Sequence, residues 1–386
     1  MRKILYISGT RADYGLMRPV LFAIKKHPGL KIEIVATGMH LMPEFGRTIK
    51  EVIRDGFKVY SLFAVYRDDT PASMVNFCGE FILKLNRAVA KIKPDAILIL
   101  GDRLEMLAAA IVGAYRMIPV AHIHGGDATS TVDEFARHAI SKLSHLHFAV
   151  TPNSAKRILA MGEEPWRVHV VGAPGLDDIL HEELISKASL AKRYGLDLSA
   201  PMVLVVQHPV TLEIKQAALQ MRRTMEAVKE FAQQAIVVYP NADAGGRAMI
   251  RVIEQYRKYP FIKIYQTIPR KDYLSLMKIA GVIVGNSSSG IIEAPSFHLP
   301  VVNIGSRQSG REKAENVIEV GYDKNQIRQA IKKAIYDKKF RKRVTDCKSP
   351  YGDGQANKRI VSILSNLKVD EKLLQKRSFF KISSNQ

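Results

Sequence analysis

The chain has 386 residues, of which 47% are hydrophobic and 25% are charged, so it can bury a large core and its length predicts two or three domains. Two isolated cysteines exclude a disulfide framework or a cysteine zinc site, and the absence of a bilayer-length apolar run or a signal-peptide core predicts a cytoplasmic protein with no membrane partner. The net charge of +21 raises nucleic acid as a partner, but its distribution matters more than its sum.

Short apolar runs alternate with amphipathic segments along the chain. Strand-like runs occur in the N-terminal half at 3–8, 31–37, 95–100, 118–124, 146–150 and 168–172, and in the C-terminal half at 201–207, 235–239, 261–265, 281–285 and 300–304. Runs of Val, Ile and Leu without strict alternation are typical of parallel strands that are buried on both faces. Helical patterns lie between them, for example at 16–26, 74–92 and 212–234. The chain is therefore predicted to be α/β with parallel sheets.

This alternation is interrupted once, where a polar helical segment at 179–194 precedes the next strand. We predict two Rossmann-like domains, residues 1–173 and 174–366, followed by a basic tail, 367–386, for which disorder is expected. In open parallel sheets, ligands bind beyond the carboxyl ends of the strands. Candidate site residues are therefore sought directly after each strand-like run.

A Gly- and Ser-rich segment, GNSSSG at 285–290, follows one buried run and starts a helical pattern. Such a turn presents backbone N–H groups and the hydroxyls of Ser287 and Ser288 to an anion at the positive end of the helix dipole. Glu293, about a turn and a half into the helix, could accept hydrogen bonds from ribose hydroxyls. For one such loop alone, N-cap serines with a solvated Glu are the better interpretation. Because polar loops follow several strands in both halves, we predict one diphosphate-bearing ligand bound between two domains.

Ionisable side chains also follow the strand-like runs. Asp102 comes directly after the run at 95–100 and is either a helix N-cap or a catalytic group. Asp133 stands at a predicted helix start, where it either caps the helix or acts as an acid. His208 follows the run at 201–207 and is either a buried structural histidine or part of the site. No Ser-His-Asp or Cys-His nucleophile pattern is evident.

His122 and His124 are two residues apart on one strand face, and Asp127 follows them, as in a pair of metal ligands. No third ligand stands at a diagnostic spacing. A polar lining of the active site, or a histidine satisfied by internal hydrogen bonds, is therefore favoured over a metal site.

The basic excess is concentrated at the C-terminal end. Residues 322–386 contain 17 Lys and Arg against 6 Asp and Glu, an excess of 11 out of 21. The run KKAIYDKKFRKR is predicted to form the polar face of a helix, with Ile335 and Phe340 beneath it. A solvated face is favoured over a nucleic-acid groove because no interleaved aromatic residues or binding motif accompany it. Attraction of an anionic metabolite is a third alternative.

Several sequence blocks, in fixed order over residues 2–365, resemble the hydrolysing UDP-N-acetylglucosamine 2-epimerases. The blocks are GTRADYG, ATGMHL, GDRLE, HIHGGD with DEFARHAISKLSHLH, QHPVT, PNADAGG, GNSSSGIIEAP and GSRQSGRE. The resemblance implies two Rossmann-like domains of the glycosyltransferase-B type with the active site in the interdomain cleft. It also implies a UDP-sugar substrate, a homodimer or homotetramer, and no metal or redox cofactor.

The resemblance further implies roles for individual residues. Those that match the family's nucleotide and diphosphate contacts are Arg11, Ala12, Arg103, Asn241, Ser287, Ser288, Glu293 and Arg307. Those that match catalytic groups are Asp102, Asp133 and His208, together with His124, which stands where many relatives have Glu.

The implied reaction converts UDP-N-acetylglucosamine and water to N-acetylmannosamine and UDP. It proceeds by elimination to 2-acetamidoglucal, followed by hydration with inversion at carbon 2. Two alternatives are the same reaction on UDP-2,4-diacetamido-2,4,6-trideoxyglucose and a UDP-sugar transferase of the same fold.

Overall fold

The strands form two all-parallel sheets in the computed structural model, which describes residues 1–129, 132–181, 183–231 and 234–377. The N-terminal sheet contains β1 Arg2–Ser8, β2 Leu30–Ala36, β3 Val59–Ser61, β4 Ala96–Leu100, β5 Val120–Ile123, β6 Leu146–Ala149 and β7 Val168–Val170. Its strands are ordered β3-β2-β1-β4-β5-β6-β7. The C-terminal sheet contains β8 Met202–Val206, β9 Gln234–Val238, β10 Ile262–Tyr265, β11 Val282–Gly285, β12 Val301–Ile304 and β13 Val317–Val320, ordered β10-β9-β8-β11-β12-β13.

Helices cover both faces of these sheets. In the N-terminal half they are α1 Arg11–Lys26, α2 Ile49–Arg54, α3 Pro71–Ile92, α4 Leu104–Tyr115, α5 Val132–Leu143, α6 Pro152–Ala160 and α7 Gly175–His181. The others are α8 Lys187–Tyr194, α9 Ala217–Phe231, α10 Gly246–Glu254, α11 Arg270–Ile279, α12 Ser288–Ile292, α13 Lys324–Tyr336, α14 Lys338–Asp346, α15 Ala356–Ser365 and α16 Glu371–Leu374. None of the described helices is long and apolar enough to cross a membrane.

Every predicted strand is present within one or two residues of its predicted bounds, and the prediction of parallel α/β sheets is confirmed. The sequence reading missed β3 and β13, which are the outer strands of their sheets and are only partly buried. A strand at a sheet edge needs no continuous apolar run, because one side of it faces solvent.

The helices predicted at 16–26 and 74–92 begin earlier in the structure, at Arg11 and Pro71, and three other helix predictions differ more. The helix predicted at 212–234 begins only at Ala217, after a 3₁₀ segment at Thr211–Gln216 in which Glu213 has non-helical backbone angles, and Gln234 already belongs to β9. The segment at 179–194 contains parts of two helices, α7 and α8, and the Ser186 side chain caps α8. The basic run was predicted to form one helix, but in the structure it spans two, α13 and α14.

The break between α13 and α14 is at Asp337, whose carboxylate accepts a hydrogen bond from the Phe340 N–H at 2.8 Å and so caps α14. Phe340 is buried and Ile335 partly buried, while the Lys and Arg side chains of the run are exposed. The run is therefore a solvated basic face, as predicted, but on two short helices.

The end of the chain returns to the N-terminal domain. Helix α15 packs against α1, and the Arg2 guanidinium donates to the carbonyl oxygens of Leu364 and Ser365 at 2.5 and 2.8 Å. Buried Arg167 donates to the carbonyl oxygens of Leu373 and Gln375 at 2.8 and 3.0 Å. Residues 367–377 thus have a defined position within the predicted tail, whereas 378–386 lie outside the described residues. The domain boundaries themselves stay a prediction.

Gly285 shows why a glycine ends β11. Its φ is +132°, and a Cβ atom there would lie 2.1 Å from the Val206 carbonyl oxygen at the end of β8. Only glycine permits both the backbone angle and this close approach. The loop that begins at Asn286 is therefore held directly against the end of the neighbouring strand.

Candidate active site

The carboxyl ends of the two sheets meet across a cleft that is bridged by ion pairs. Arg103 follows β4 in the N-terminal domain, and its Nη1 atom lies 3.2 Å from Oδ1 of Asp243, which follows β9. Arg307 follows β12, and its Nη2 atom lies 3.6 Å from Oδ2 of Asp133 on α5. The strand-end loops of both domains are thus neighbours, as the strand-end rule predicts.

Asp102 is not a helix cap. Helix α4 begins at Leu104, and the N-cap position is held by Arg103 without a side-chain hydrogen bond. The Asp102 carboxylate instead accepts a hydrogen bond from Nη2 of Arg137. Burial raises the pKa of Asp102, but the positive charges of Arg137 and Arg311 outweigh that effect, so its pKa falls below the ordinary value. Asp102 is therefore ionised at neutral pH.

His122 is a satisfied structural histidine. It is fully buried, its Nε2–H donates to the Gly101 carbonyl oxygen at 2.7 Å, and its Nδ1 atom lies 3.3 Å from Oγ of Ser141. Burial lowers its pKa to about 3, which keeps the ring neutral. Both ring nitrogens have partners within the protein. Among the described residues, no group of three or more His, Cys, Asp or Glu side chains could hold a metal ion.

His124 pairs with Asp127. Its Nδ1 atom lies 3.2 Å from Oδ2 of Asp127, and its backbone has a φ of +65°, which is uncommon outside glycine. Oδ2 of Asp127 also lies 3.3 Å from Nη2 of Arg311. Burial raises the pKa of Asp127, but the hydrogen bond to His124 and the charge of Arg311 lower it well below its usual range. Asp127 is thus a permanent anion that orients the His124 ring.

Asp133 is the second residue of α5, and the cap position before Val132 lies outside the described residues. Its carboxylate forms the ion pair with Arg307 across the cleft. Arg307 also donates through Nη1 to the Asn286 carbonyl oxygen at 3.3 Å. The structure therefore joins Asp133, an acid candidate, to Arg307, a diphosphate candidate.

His208 is fixed by two asparagines. Its backbone N–H donates to Oδ1 of Asn286 at 2.7 Å, and its carbonyl oxygen accepts from Nδ2 of Asn286 at 2.9 Å. The ring Nδ1 accepts the Asn241 backbone N–H at 3.1 Å, which places the ring proton on Nε2. Burial, followed by the charges of Arg307 and Arg103, lowers its pKa well below the ordinary value. His208 is therefore a neutral N–H donor.

The loop at 285–290 forms the predicted strand–turn–helix. Ser287 is the N-cap of α12, a helix of five residues, and its hydroxyl accepts the Ser289 N–H at 3.3 Å. The hydroxyls of Ser287 and Ser289 are 2.9 Å apart, and Ser289 is 2.7 Å from the Tyr273 hydroxyl. Ser287 and Ser288 are only half-buried, whereas Ser289 is buried.

Glu293 differs from its prediction. Helix α12 ends at Ile292, so Glu293 is not inside a helix, and it is 3% exposed, which contradicts the solvated alternative. Its carboxylate forms an ion pair with Nη2 of Arg270, and the same nitrogen donates to the Gly175 carbonyl oxygen at 3.1 Å. Contact between Glu293 and a ribose stays a prediction. It requires the carboxylate to bind the ribose hydroxyls and the Arg270 guanidinium together.

Arg11 and Ala12 form the first turn of α1. A capping box between Thr10 and Asp13 fixes this turn, with the Asp13 carboxylate accepting the Gly9 and Thr10 N–H groups at 3.0 and 2.7 Å. The Nε atom of Arg11 lies 3.5 Å from the Glu51 carboxylate and makes no hydrogen bond within the described residues. Ala12 is exposed and presents no polar side chain.

Arg103 and Asn241 meet at Asp243. The Arg103 guanidinium also contacts buried Glu105 and the Tyr66 hydroxyl, at 3.2 and 3.3 Å. Nδ2 of Asn241 donates to the second oxygen of Asp243, whereas the Asn241 Oδ1 atom is buried without a hydrogen-bond partner in the described part of the chain. That oxygen is a free acceptor for a ligand donor.

The structure adds residues that sequence reasoning did not assign to the site. Arg137, Arg270 and Asp243 each contact a predicted site residue, and Arg311 contacts Asp127, which was considered only as a metal ligand. Arg311 and Asp243 lie inside the quoted GSRQSGR and PNADAGG blocks. Arg270 follows the predicted strand at 261–265 by five residues and lies in none of the quoted blocks.

The sequence and the fold were compared with known proteins. A family model described as UDP-N-acetylglucosamine 2-epimerase matches residues 22–365. A UDP-N,N'-diacetylbacillosamine 2-epimerase (hydrolyzing) from Legionella pneumophila is 38% identical over 377 residues, which cover 97% of this chain and 99% of that protein. A UDP-N-acetylglucosamine 2-epimerase from Neisseria meningitidis serogroup B is 37% identical over 340 residues, covering 88% and 89%.

A solved structure shares the fold. The UDP-GlcNAc 2-epimerase from Neisseria meningitidis bound to UDP-GlcNAc superimposes with a TM-score of 0.78 at 21% identity, over 94% of this chain and 99% of that one. The similarity confirms the predicted two-domain α/β fold of the glycosyltransferase-B type. Together with the family match over most of the sequence, it shows that this chain belongs to the UDP-N-acetylglucosamine 2-epimerase family.

Proposed function

We propose that the protein is a hydrolysing 2-epimerase, which converts a UDP-2-acetamido sugar and water to UDP and the free sugar inverted at carbon 2. The observation that carries this proposal is the ionised Asp102 in the interdomain cleft, held by buried Arg137. A second carboxylate, Asp133, stands at the same cleft with Arg307. This arrangement supplies a base, an acid and a cation for a departing diphosphate.

In the first step, Asp102 takes the proton from carbon 2. The electron pair of that C–H bond forms the double bond between carbons 1 and 2, and the bond from carbon 1 to the UDP oxygen breaks. Arg11 and Arg307, with the hydroxyls of Ser287 and Ser288, stabilise the charge that develops on the diphosphate. The products of this step are UDP and 2-acetamidoglucal.

In the second step, the oxygen of water bonds to carbon 1, one proton of that water passes to solvent, and a proton is delivered to carbon 2 from the face opposite to the one deprotonated, so that the double bond becomes single. Asp133 is our donor for that proton, and His124, oriented by Asp127 at 3.2 Å, is the alternative donor. His208, with its ring proton on Nε2, is assigned to a hydrogen bond with the substrate. Neither step requires a metal or a redox cofactor.

Two substrates fit this proposal. UDP-N-acetylglucosamine is the predicted one, and the relative from Neisseria meningitidis supports it. UDP-N,N'-diacetylbacillosamine, which is the UDP-2,4-diacetamido-2,4,6-trideoxyglucose named above, is the second candidate. It is favoured by the Legionella relative, which matches nearly the whole chain. Both sugars carry the UDP and the 2-acetamido group on which the two steps act.

The test is to incubate the protein with each UDP-sugar separately, without any acceptor, and to follow products by ³¹P and ¹H NMR. We expect UDP and a free sugar with the inverted configuration at carbon 2, and the preferred UDP-sugar should turn over about tenfold faster than the other or more. Absence of UDP release without an acceptor would favour a transferase. A C2-inverted UDP-sugar with no free sugar would indicate a non-hydrolysing reaction.

A further inference from the structure

We propose that Arg137 is a positioning residue that sets both the ionisation and the aim of Asp102, an inference that rests on the proposed function. Arg137 is fully buried. It acts through Asp102 and makes no direct contact with the sugar.

Arg137 connects three separate elements of the site. Its Nη2 atom donates to the Asp102 carboxylate after β4, and its Nη1 atom donates to the Asp127 carbonyl oxygen after β5 at 2.7 Å. Nη1 also donates to Oγ1 of Thr129 at 3.2 Å. The guanidinium itself is carried by α5, four residues and hence one helical turn after Asp133. One side chain thus links the base candidate to the helix that bears the acid candidate.

The contacts of Arg137 require a guanidinium. A planar fork can donate to a carboxylate, a carbonyl and a hydroxyl in fixed directions, whereas an ammonium group is a point charge at the end of a flexible stem. A buried cation also needs compensation, and Asp102 provides it. Lysine at this position would preserve the charge and lose the geometry, so the two roles of Arg137 can be separated by substitution.

Several charged or titratable groups surround Asp102. They are Arg137 and Asp133 on α5, neutral His122 and ionised Asp127 from the β5 segment, and Arg307 and Arg311 from the loop after β12. Arg137 makes the direct hydrogen bond to Asp102. Its removal should therefore have the largest single effect on the proton affinity of that carboxylate.

The experiment measures kcat and KM against pH for Arg137→Gln and Arg137→Lys. Arg137→Gln should lower kcat by about 100-fold, change KM less than about threefold, and move the acid limb of kcat/KM upward by about one pH unit. Arg137→Lys should lower kcat by about tenfold and leave the acid limb within about 0.3 unit, because the charge is retained. A merely structural role would reduce the folded fraction in thermal unfolding and leave the acid limb of the remaining enzyme in place.

The matched control is Arg157→Gln. Arg157 lies on α6 and donates to the Gly126 carbonyl oxygen at 3.1 Å, so it supports the same loop without contacting Asp102. Its acid limb should equal that of the wild type. If Arg137→Gln does not fold, the lysine variant decides, since full kcat in Arg137→Lys would overturn the geometric role.

A double-mutant comparison tests whether Arg137 acts through Asp102. In an Asp102→Asn background, Arg137→Gln should cost less than about threefold in the residual rate, because its target is already absent. A further loss as large as in the wild-type background would overturn the inference. Wild-type enzyme that releases no UDP from either UDP-sugar would overturn the proposed function and the inference together, whereas active wild type with an unshifted acid limb in Arg137→Gln overturns the inference alone.

Discussion

The Asp69 carboxylate accepts a hydrogen bond from the Gly245 backbone N–H at 2.8 Å, although the two residues belong to different domains. Its other oxygen accepts the Ala248 N–H at 3.1 Å. Gly245 is the N-cap of α10 and has no side chain with which to cap the helix itself. The N-terminal domain therefore supplies the cap of a helix in the C-terminal domain, on the side of the cleft where Arg103 meets Asp243.

Replacing Asp69 with Ala should loosen the contact between the domains. Loss of an N-cap typically destabilises a protein by about 0.5–2 kcal/mol. Because this cap joins the two domains, its loss should destabilise the arrangement in which the domains are in contact. We expect a larger radius of gyration in small-angle X-ray scattering and a higher KM. Asp68→Ala is the matched control, because Asp68 is exposed and, among the residues that the structure describes, its carboxylate bonds to Thr70 in its own turn. Equal scattering curves for both variants would contradict this assignment.

Asp102→Asn should remove most turnover. A carboxylate that transfers a proton in the transition state contributes about 10²–10⁴-fold in rate, and the amide cannot accept that proton. Asp95→Asn is the matched control at the other end of β4, where Asp95 accepts the Lys3 N–H at 2.7 Å far from the cleft. Rates of UDP release and thermal unfolding are measured for both variants. A near wild-type rate in Asp102→Asn would eliminate Asp102 as the base.

The sequence predicts most of this fold because its strands are buried on both faces. Parallel strands such as β4 and β8 are continuous apolar runs, so they can be predicted from this one sequence. The edge strands β3 and β13 carry no such signal, since part of each is solvated. Helix starts within polar loops were misplaced because caps such as Ser186 depend on local geometry.

Site residues that directly follow a strand can be predicted from the sequence. Their ion-pair partners cannot, when those partners are distant in the sequence. Asp102 and His208 are found by their place at strand ends. The pairing of Arg137 with Asp102 joins residues on different elements, and so does that of Arg270 with Glu293. Nothing in the local pattern around either arginine reveals its partner, because the tertiary packing of helices α5 and α11 brings the charges together.

Ser288→Ala and Arg307→Ala should mainly weaken UDP binding. Charge-assisted hydrogen bonds to an anion contribute about 1.5–3 kcal/mol each, so removal of Arg307 should raise the dissociation constant for UDP by about tenfold or more, and loss of the neutral Ser288 hydroxyl by less. Isothermal titration with UDP measures both. Arg341→Ala, on the exposed basic face of α14, is the control and should leave UDP affinity unchanged. Unchanged affinity in both cleft variants would move the diphosphate elsewhere.

Glu163 should make anchoring of the C-terminal segment sensitive to acid. Its buried carboxylate accepts from Lys142 at 2.7 Å, from His147 at 3.0 Å and from Lys376 at 2.8 Å. Burial raises the pKa of Glu163, but the hydrogen bonds from His147, Lys142 and Lys376 outweigh it and lower that pKa to about 2. Because the folded pKa is depressed, this stabilisation is present above the unfolded value of about 4.3 and is lost as pH falls toward 2.

Hydrogen exchange of residues 367–377 is the measurement for this pH dependence. In the wild type, protection should fall between about pH 4.3 and pH 2, whereas in Glu163→Gln it should be low already at pH 7 and change little in that window. Glu371→Gln, at an exposed position of α16 in the same segment, is the control and should retain the wild-type profile. Wild-type protection that stays constant down to pH 2 would show that Glu163 does not anchor the segment.

The final prediction concerns the fate of the hydrogen at carbon 2. If elimination precedes hydration, carbon 2 loses its original proton to Asp102 and later takes one from a donor that exchanges with solvent. Turnover in heavy water should therefore place deuterium at carbon 2 of the released sugar, as read by ¹H NMR. Direct hydrolysis by a transferase-like site would leave carbon 2 untouched and release a sugar of unchanged configuration.

Oxygen labelling tests the same mechanism at carbon 1. Water attacks carbon 1 of the glucal after UDP has left with its own bridging oxygen, so turnover in ¹⁸O water should label the sugar and not UDP, as read by mass spectrometry before the free sugar exchanges its anomeric oxygen. Label in UDP would mean that water attacks phosphorus instead of carbon 1. A product that retains its original hydrogen at carbon 2 would eliminate the epimerase mechanism, because inversion at that carbon cannot occur by elimination and hydration without loss of that hydrogen.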